Sequence, residues 1–369
     1  MVVMLTTILC AAPLLAAVPP PAPSPSPQDP GLVVSRESAG PGAEGTATAA
    51  DSLGPAIAAA VREYEVRLGN LEPQNVQVRK GWLAARSMAL FQYLNADLFP
   101  DAEPLAKPGG PGDTAFEALV ATRDELAAAD VELLVVIFPT RLNLYPECFV
   151  DVAVGEDFAG YAPGLERFLA RLSDAHIAVL DLLPPFAAER GGPDAPQTEQ
   201  VGLTFNGHWS PKGLALGARL LADEIRSRPW YEAPDEPPSH ARARLVAEDI
   251  LWGPTENTEP APGLGPQPLR IERVVGADGR PIVASDPTSP VVLLGDSFST
   301  IYSDEGADFP RHLAYELGAP VDVIASPGGG PYSSRAALAR RRNGLRGKRL
   351  VIWTFYSHSL MNRRWWMPK

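Results

Sequence analysis

Two short stretches of this chain hold residues that could carry out nucleophilic chemistry together. One is GDSFS at 295–299, directly after the apolar run VVLL. The other is FNGHWSPKG at 205–213, with His208 just ahead of a helix start signal. A serine hydroxyl is a weak nucleophile until a base takes its proton. Ser297 on a tight strand-to-helix turn, with Gly295 allowing the bend, would project its hydroxyl from a sheet edge beside backbone N–H groups suited to an oxyanion. His208 is the best base. His176 begins a strand, His240 lies in a Pro-rich loop and His312 falls inside a predicted helix, while His358 in TFYSHSLMN follows a strand and is the rival. A third stretch, SPGGG at 326–330, ends another apolar run. Its glycines, Gly328 and Gly329 among them, either offer N–H groups to a substrate or make a loose turn.

These stretches need a scaffold that brings strand ends together. FEALVATRDELAAAD and LERFLARLSDA read as helices, and VELLVVIFP and HIAVLDLLP as strands. SPKGLALGARLLADEIRSR reads as a helix with Ser210 as N-cap, Pro211 at its first position and a buried stripe of Leu214, Ala218, Leu221 and Ile225. Residues 233–268 read as a Pro-rich loop, and LRIERVVGADGRPIVASD as a hairpin about Asp278-Gly279. Then VVLL, VDVIA and RLVIWTFY alternate as strands with the helices FPRHLAYEL and SSRAALARRR. This alternation predicts an α/β sandwich with a mainly parallel central sheet covered on both faces. In such sheets ligands bind beyond the carboxyl ends of the strands, which is where these stretches fall.

Composition narrows the chemistry. The chain has 369 residues, 45% hydrophobic, enough for one large domain or two of medium size. A net charge of −12 argues against a nucleic-acid partner. The basic run RRRNGLRGKR at 340–349 reads as a solvated helix end and turn. Cys10 and Cys148 have no metal-site spacing, so no metal or cofactor is expected, and Cys148 reads as a buried spectator. MVVMLTTILCAAPLLAAVPPPAP reads as an export segment over 1–17, or an N-terminal anchor, although its first 28 residues hold no Lys or Arg. Residues 18–50 read as a disordered linker, with seven prolines between 19 and 30, and 51–369 as one domain with no second globular module.

Several motifs, in order, resemble the SGNH-hydrolase-like domain of the alginate O-acetyltransferase family, the AlgX/AlgJ group. GDSFS follows NGHWSPKG as the family's serine motif follows its Asp-x-His-Trp motif. RKGWL at 79–83 resembles an early Gly-Trp-Leu turn, and VVIFPTRLNLYPE at 135–147 a strand followed by Pro, a basic residue and Tyr-Pro. VLDLLPPF, SPGGGP and VIWTF resemble further strand ends, so the likeness spans roughly 75–360. It implies a serine-dependent O-acyltransferase in the periplasm or otherwise outside the cytoplasm. Such an enzyme takes an acyl group from a donor to a polysaccharide acceptor, and the resemblance implies a membrane acyltransferase in a membrane-associated assembly as a source of that donor. An esterase using water and a non-catalytic glycan-binding or assembly protein are the alternatives.

By position the resemblance makes Ser297 the nucleophile, His208 the base and Asn206 the occupant of the acid position. That last residue departs from the family. In serine proteases an Asp-to-Asn change there lowers turnover about 10⁴-fold through the wrong tautomer. Either Asn206 accepts from His208 through its amide oxygen, or another acid serves (Asp181 ahead of Asp296), or the site binds without turnover. Trp209 packs under the His loop or stacks on a sugar. Arg141 and Tyr145 are expected to line the cleft, and the tail MNRRWWMPK is a surface contact or packs.

Overall fold

The structure is a computed structural model and describes residues 53–57, 59, 111–148, 154–155, 157–203, 207–232, 243–252, 267–361 and 365–367. The expected export segment and linker, the turn at 79–83, Asn206 and His240 lie outside these residues, as do the side chains of Cys148 and His358.

Helix α1 (Pro111–Ala127) leads into strand β1 (Glu132–Phe138). Short α2 (Arg141–Leu144) is followed by α3 (Pro163–Asp174), β2 (Ala178–Asp181), α4 (Leu183–Glu189) and α5 (Pro211–Arg226). A two-stranded antiparallel unit, β3 (Arg244–Trp252) with β4 (Gln267–Val275), comes next. The chain closes with β5 (Val291–Gly295), α6 (Ser297–Thr300), α7 (Phe309–Leu317), β6 (Asp322–Ala325), α8 (Gly330–Arg340) and β7 (Leu350–Tyr356).

The main sheet runs β2-β1-β7-β5-β6, every pair parallel. Val135 pairs with Val179 on one side and Trp353 on the other, and Leu293 with Ile352 and Val323. Helices cover both faces, so the inner strands bury all but their end residues Glu132 and Tyr356 and read as apolar runs. The parallel α/β sandwich is therefore the one anticipated. Because all strands point the same way, the residues following β1, β5 and β6 emerge at one end of the sheet.

Four expectations need correction. HIAVLDLLP is a strand only to Asp181. Leu182 is already helical in φ and ψ, the Asp181 carboxylate accepts the Leu183 N–H at 2.9 Å, and Pro184 and Pro185 follow Leu183 in the first turn of α4. Within 233–268, residues 244–252 form a strand rather than a loop. Only parts of it touch the core, so its charged residues hid its periodicity. The turn at Asp278-Gly279 folds back, but the return arm pairs with β4 only through the bridge Val275–Pro281, where the Gly276 N–H donates to the Arg280 carbonyl at 2.8 Å and the Ile282 N–H to the Val274 carbonyl at 3.1 Å. The basic run at 340–349 is not all solvated: Arg341 and Lys348 each lie 2.8 Å from the buried Asp322 carboxylate.

Candidate active site

The nucleophile turn follows from two features of β5. Gly295 ends the strand where a Cβ would collide with Ser299 Oγ and crowd Thr354 Oγ1 on the neighbouring β7, so only glycine fits. Thr354 in turn donates to the Leu294 carbonyl at 2.8 Å, tying the last residues of β5 to β7. Asp296 then caps α6 by accepting the Phe298 N–H at 2.9 Å, which places Ser297 at the first helical position. Burial pushes the Asp296 carboxyl up to about 6, although the Phe298 N–H opposes that shift. Its hydrogen-bonding role is thus that of a cap.

The histidine loop is built by different means. Its two arms meet in an antiparallel bridge between Gly202 and Trp209. The His208 carbonyl accepts from Leu203 N–H at 3.0 Å, and the Val201 carbonyl from Ser210 N–H at 3.0 Å. Ser210 caps α5 by accepting the Gly213 N–H at 3.1 Å. Gly213 is required there, because a Cβ would strike the Val201 carbonyl and press on Trp209. Arg141, on α2 after β1, donates to Gln200 Oε1 at 3.0 Å and to the Gly202 carbonyl at 3.2 Å, and its guanidinium lies 4.3 Å over the Tyr145 ring. The Tyr145 hydroxyl donates to the Arg190 carbonyl and accepts the Val201 N–H at 3.2 Å.

Of Arg141 and Tyr145, expected to line the cleft, Arg141 borders the pocket beside His208 and Tyr145 does not. They are 4% and 0% exposed and brace the histidine loop from below. Burial pushes the Tyr145 phenol up to about 12, so it remains a neutral hydrogen-bonding group. Arg141 also borders a cavity of about 10 Å³ with Gly207, His208, Trp209 and Phe298, room for about one water.

The two loops meet at the predicted pair: His208 Nε2 and Ser297 Oγ are 2.9 Å apart. The Phe298 ring lies 4.6 Å from the His208 ring and Trp209 packs behind, 4.2 Å from Phe138 and 4.8 Å from Phe309. Trp209 is 3% exposed, which assigns it the packing role. Burial pulls the His208 imidazole down to about 4. A neutral imidazole carrying its proton on Nδ1 can accept the Ser297 proton, which is the general-base arrangement.

The glycine loop reaches the same place, since the Ser326 N–H donates to the Gly295 carbonyl at 3.0 Å. Gly329 spends its own N–H on the Ser326 carbonyl, closing a turn, so of the two predicted glycines only Gly328 has its amide outside that turn bond. The rival side chains fall elsewhere. Asp181 ends the edge strand β2, with β1 and β7 between it and β5. His312 is buried in α7 against the Glu272 carbonyl, and His176 sits in a turn at φ 55°. In the tail, Trp365 packs on Trp353 at 5.5 Å and Phe355 at 5.2 Å, and Trp366 lies 5.9 Å from Tyr332. The bracing residues Gln200, Phe298 and Thr354 carried no signal of their own beyond the Phe of GDSFS.

Comparison with known proteins fits this geometry. The model of the SGNH hydrolase-like domain of the acetyltransferase AlgX matches residues 95–357. A probable alginate O-acetylase AlgJ of Pseudomonas fluorescens is 29% identical over 235 residues, which are 58% of this chain and 53% of that protein. Its counterpart in Azotobacter vinelandii is 28% identical over 251 residues, 65% of this chain and 61% of that protein. The chain thus spans between half and two thirds of the length of these relatives. The O-acetyltransferase domain of Pseudomonas putida AlgJ superposes with a TM-score of 0.50 over 67% of this chain and 82% of that one, at 18% identity, a likeness of fold.

Proposed function

This chain belongs to the family of the AlgX SGNH hydrolase-like domain, and from that premise we propose that it is a serine-dependent O-acetyltransferase acting on a polysaccharide outside the cytoplasm. The observation that carries the reading is the 2.9 Å approach of His208 Nε2 to Ser297 Oγ at the carboxyl end of the sheet. A non-catalytic binder has no need of that contact. The relatives named alginate O-acetylases support the acetyl group and the polysaccharide class. The apolar segment before the Pro-rich stretch supports export, and an acyl donor on that side of a membrane is the expected co-substrate.

In the proposed cycle, Ser297 Oγ attacks the acyl carbonyl of the donor while its proton passes to His208 Nε2. The tetrahedral oxyanion takes hydrogen bonds from the Ser297 and Gly328 amides. The bond to the leaving group breaks, His208 returns the proton to it, and an acyl ester remains on Ser297. A sugar hydroxyl then gives its proton to His208 and attacks the ester, and collapse restores the serine and releases the acetylated sugar. The imidazolium that forms twice is unfavourable in so buried a place, and Asn206 cannot supply the charge that an aspartate would. The enzyme accordingly works as a slow Ser–His dyad.

The test is acetate release from an aryl acetate ester, with and without a sugar acceptor. Ser297→Ala is expected to abolish it, and Asn206→Asp to raise kcat. Acetylated acceptor marks a transferase, and free acetate alone an esterase. No serine-dependent turnover in either the wild type or Asn206→Asp would leave glycan binding as the function.

A further inference from the structure

The nucleophile segment and the base loop are far apart in sequence, and their relative position must be held to a few tenths of an ångström for proton transfer. Ser297–His208 and the Phe298–His208 ring contact involve the reacting groups themselves. A third link does not. Tyr302, five residues after the nucleophile, donates its hydroxyl to the Trp209 carbonyl at 3.2 Å. The neighbouring carbonyl, of His208, is taken by Leu203 within the loop. Tyr302 is therefore a bond from the nucleophile's segment to the backbone directly beside the base.

Its conformation fits that role. Tyr302 has φ 66°, a region that bulky residues rarely adopt and that costs about 1–3 kcal/mol. Such a backbone persists only where its surroundings hold it. Here the ring is 3% exposed and lies 5.7 Å from the Trp252 ring at the end of β3. The turn beyond it is tied to β4, where Val274 N–H donates to the Gly306 carbonyl at 3.0 Å and Arg273 Nε to the Glu305 carbonyl at 2.9 Å. The antiparallel unit thus stands behind the turn as a brace. Burial holds the Tyr302 phenol well above its ordinary range, so the hydroxyl keeps its proton to donate.

We infer that Tyr302 is a positioning residue for the acyl-transfer site, clamping the His208 loop to the Ser297 turn through the Trp209 carbonyl and braced by Trp252. The inference rests on the Ser–His reading above.

Tyr302→Phe tests it, because the ring, the backbone conformation and the Trp252 contact are retained and only the bond to Trp209 is lost. The full chain is compared with wild type in kcat and KM for an aryl acetate, in Tm, and in the ¹⁵N chemical shift of His208 Nε2. Expected are a roughly 10-fold fall in kcat, less than the ~100-fold that a full ångström of misplacement costs, an unchanged KM, and an Nε2 resonance moved toward that of a free imidazole. An unchanged kcat and an unmoved resonance overturn the inference, whether or not Tm falls. If the wild type has no turnover, the functional reading fails separately. The Nε2 resonance then decides the clamp alone, a shift supporting it and no shift overturning it.

Discussion

The two ends of the central sheet face opposite demands and are built from opposite materials. At the amino end charge is paired with charge. The Asp322 carboxylate is met by Arg341 and Lys348, Asp130 by Arg349 and Glu132 by Arg228. A cavity of about 370 Å³ there is bordered by Arg123, Asp130, Glu132, His176 and Arg349. At the carboxyl end Ser297 and His208 sit among Phe138, Phe298, Trp209 and Phe309. Burial there changes proton affinity: desolvation takes Asp296 up to about 6 and His208 down to about 4. Pairing at one end fixes the sheet, and desolvation at the other holds a base neutral. Removing residues from each end should therefore give different signatures.

Trp209→Ala gives the largest effect, because it damages both the core and the site. The ring contacts with Phe138 and Phe309 are lost, and truncation of a buried Trp costs about 3–5 kcal/mol. Since Trp209 adjoins the base and takes the Tyr302 hydroxyl bond on its carbonyl, kcat should fall by about 100-fold as well. Urea titration and esterase kinetics on the same sample check the two halves. A loss of stability with kcat intact would detach this aromatic cluster from catalysis.

Asp322→Asn should separate stability from turnover at the other end. Lys348 is 5% exposed and Asp322 1% exposed. Neutralising the acid leaves a buried ammonium with no counter-charge from residue 322 and only neutral acceptors there, the new amide oxygen beside the Pro287 and Ser289 carbonyls, which it holds at 2.7 and 2.8 Å. Breaking a buried pair from one side costs about 3–5 kcal/mol. These two carbonyls place the expected fall in the lower part of that range. In the fraction that stays folded, kcat should match wild type. A comparable fall in kcat would mean that the sheet transmits strain from one end to the other, and the contrast would fail.

How much of this could be read beforehand follows the range of the interactions. The GDSFS turn was legible because its causes are local: a glycine, a capping aspartate two residues from the N–H it binds, and a strand just before. The cap at Ser210 and the stripe of α5 were legible for the same reason. Ser297 and His208 could be named singly, and the family resemblance joined them across 89 residues. Tyr302 was not legible, since its partner lies 93 residues away and nothing local marks its left-handed backbone. Arg141 and Tyr145 were rightly placed after β1, and Arg141 does border the pocket beside His208, but Tyr145 was misjudged as a cleft residue, because burial depends on the Gln200–Gly202 backbone that folds over them. Strand β3 was missed because its pattern of exposure is irregular and it is paired along its whole length with β4, which a local reading does not see.

The smallest expected effect is a displacement along the pH axis, and it probes the carboxyl end most directly. Catalysis needs His208 neutral, so turnover is present above its pKa and lost below it. Burial puts that limb at about 4 rather than the ordinary 6.5. Stability over the same window should hardly move. His208 and His312, both pulled down to about 4, contribute stability that is complete above pH 6.5 and is lost as pH falls toward 4. Asp296 and Asp308, both pushed up to about 6, contribute stability that is complete below about 4 and is lost as pH rises through 6. The two slopes oppose each other between pH 4 and 6.5, so unfolding midpoints should stay nearly level while kcat/KM holds to about pH 4. A limb near 6.5 would mean that water reaches His208, and the contrast between a paired end and a desolvated end would then rest on Asp296 alone.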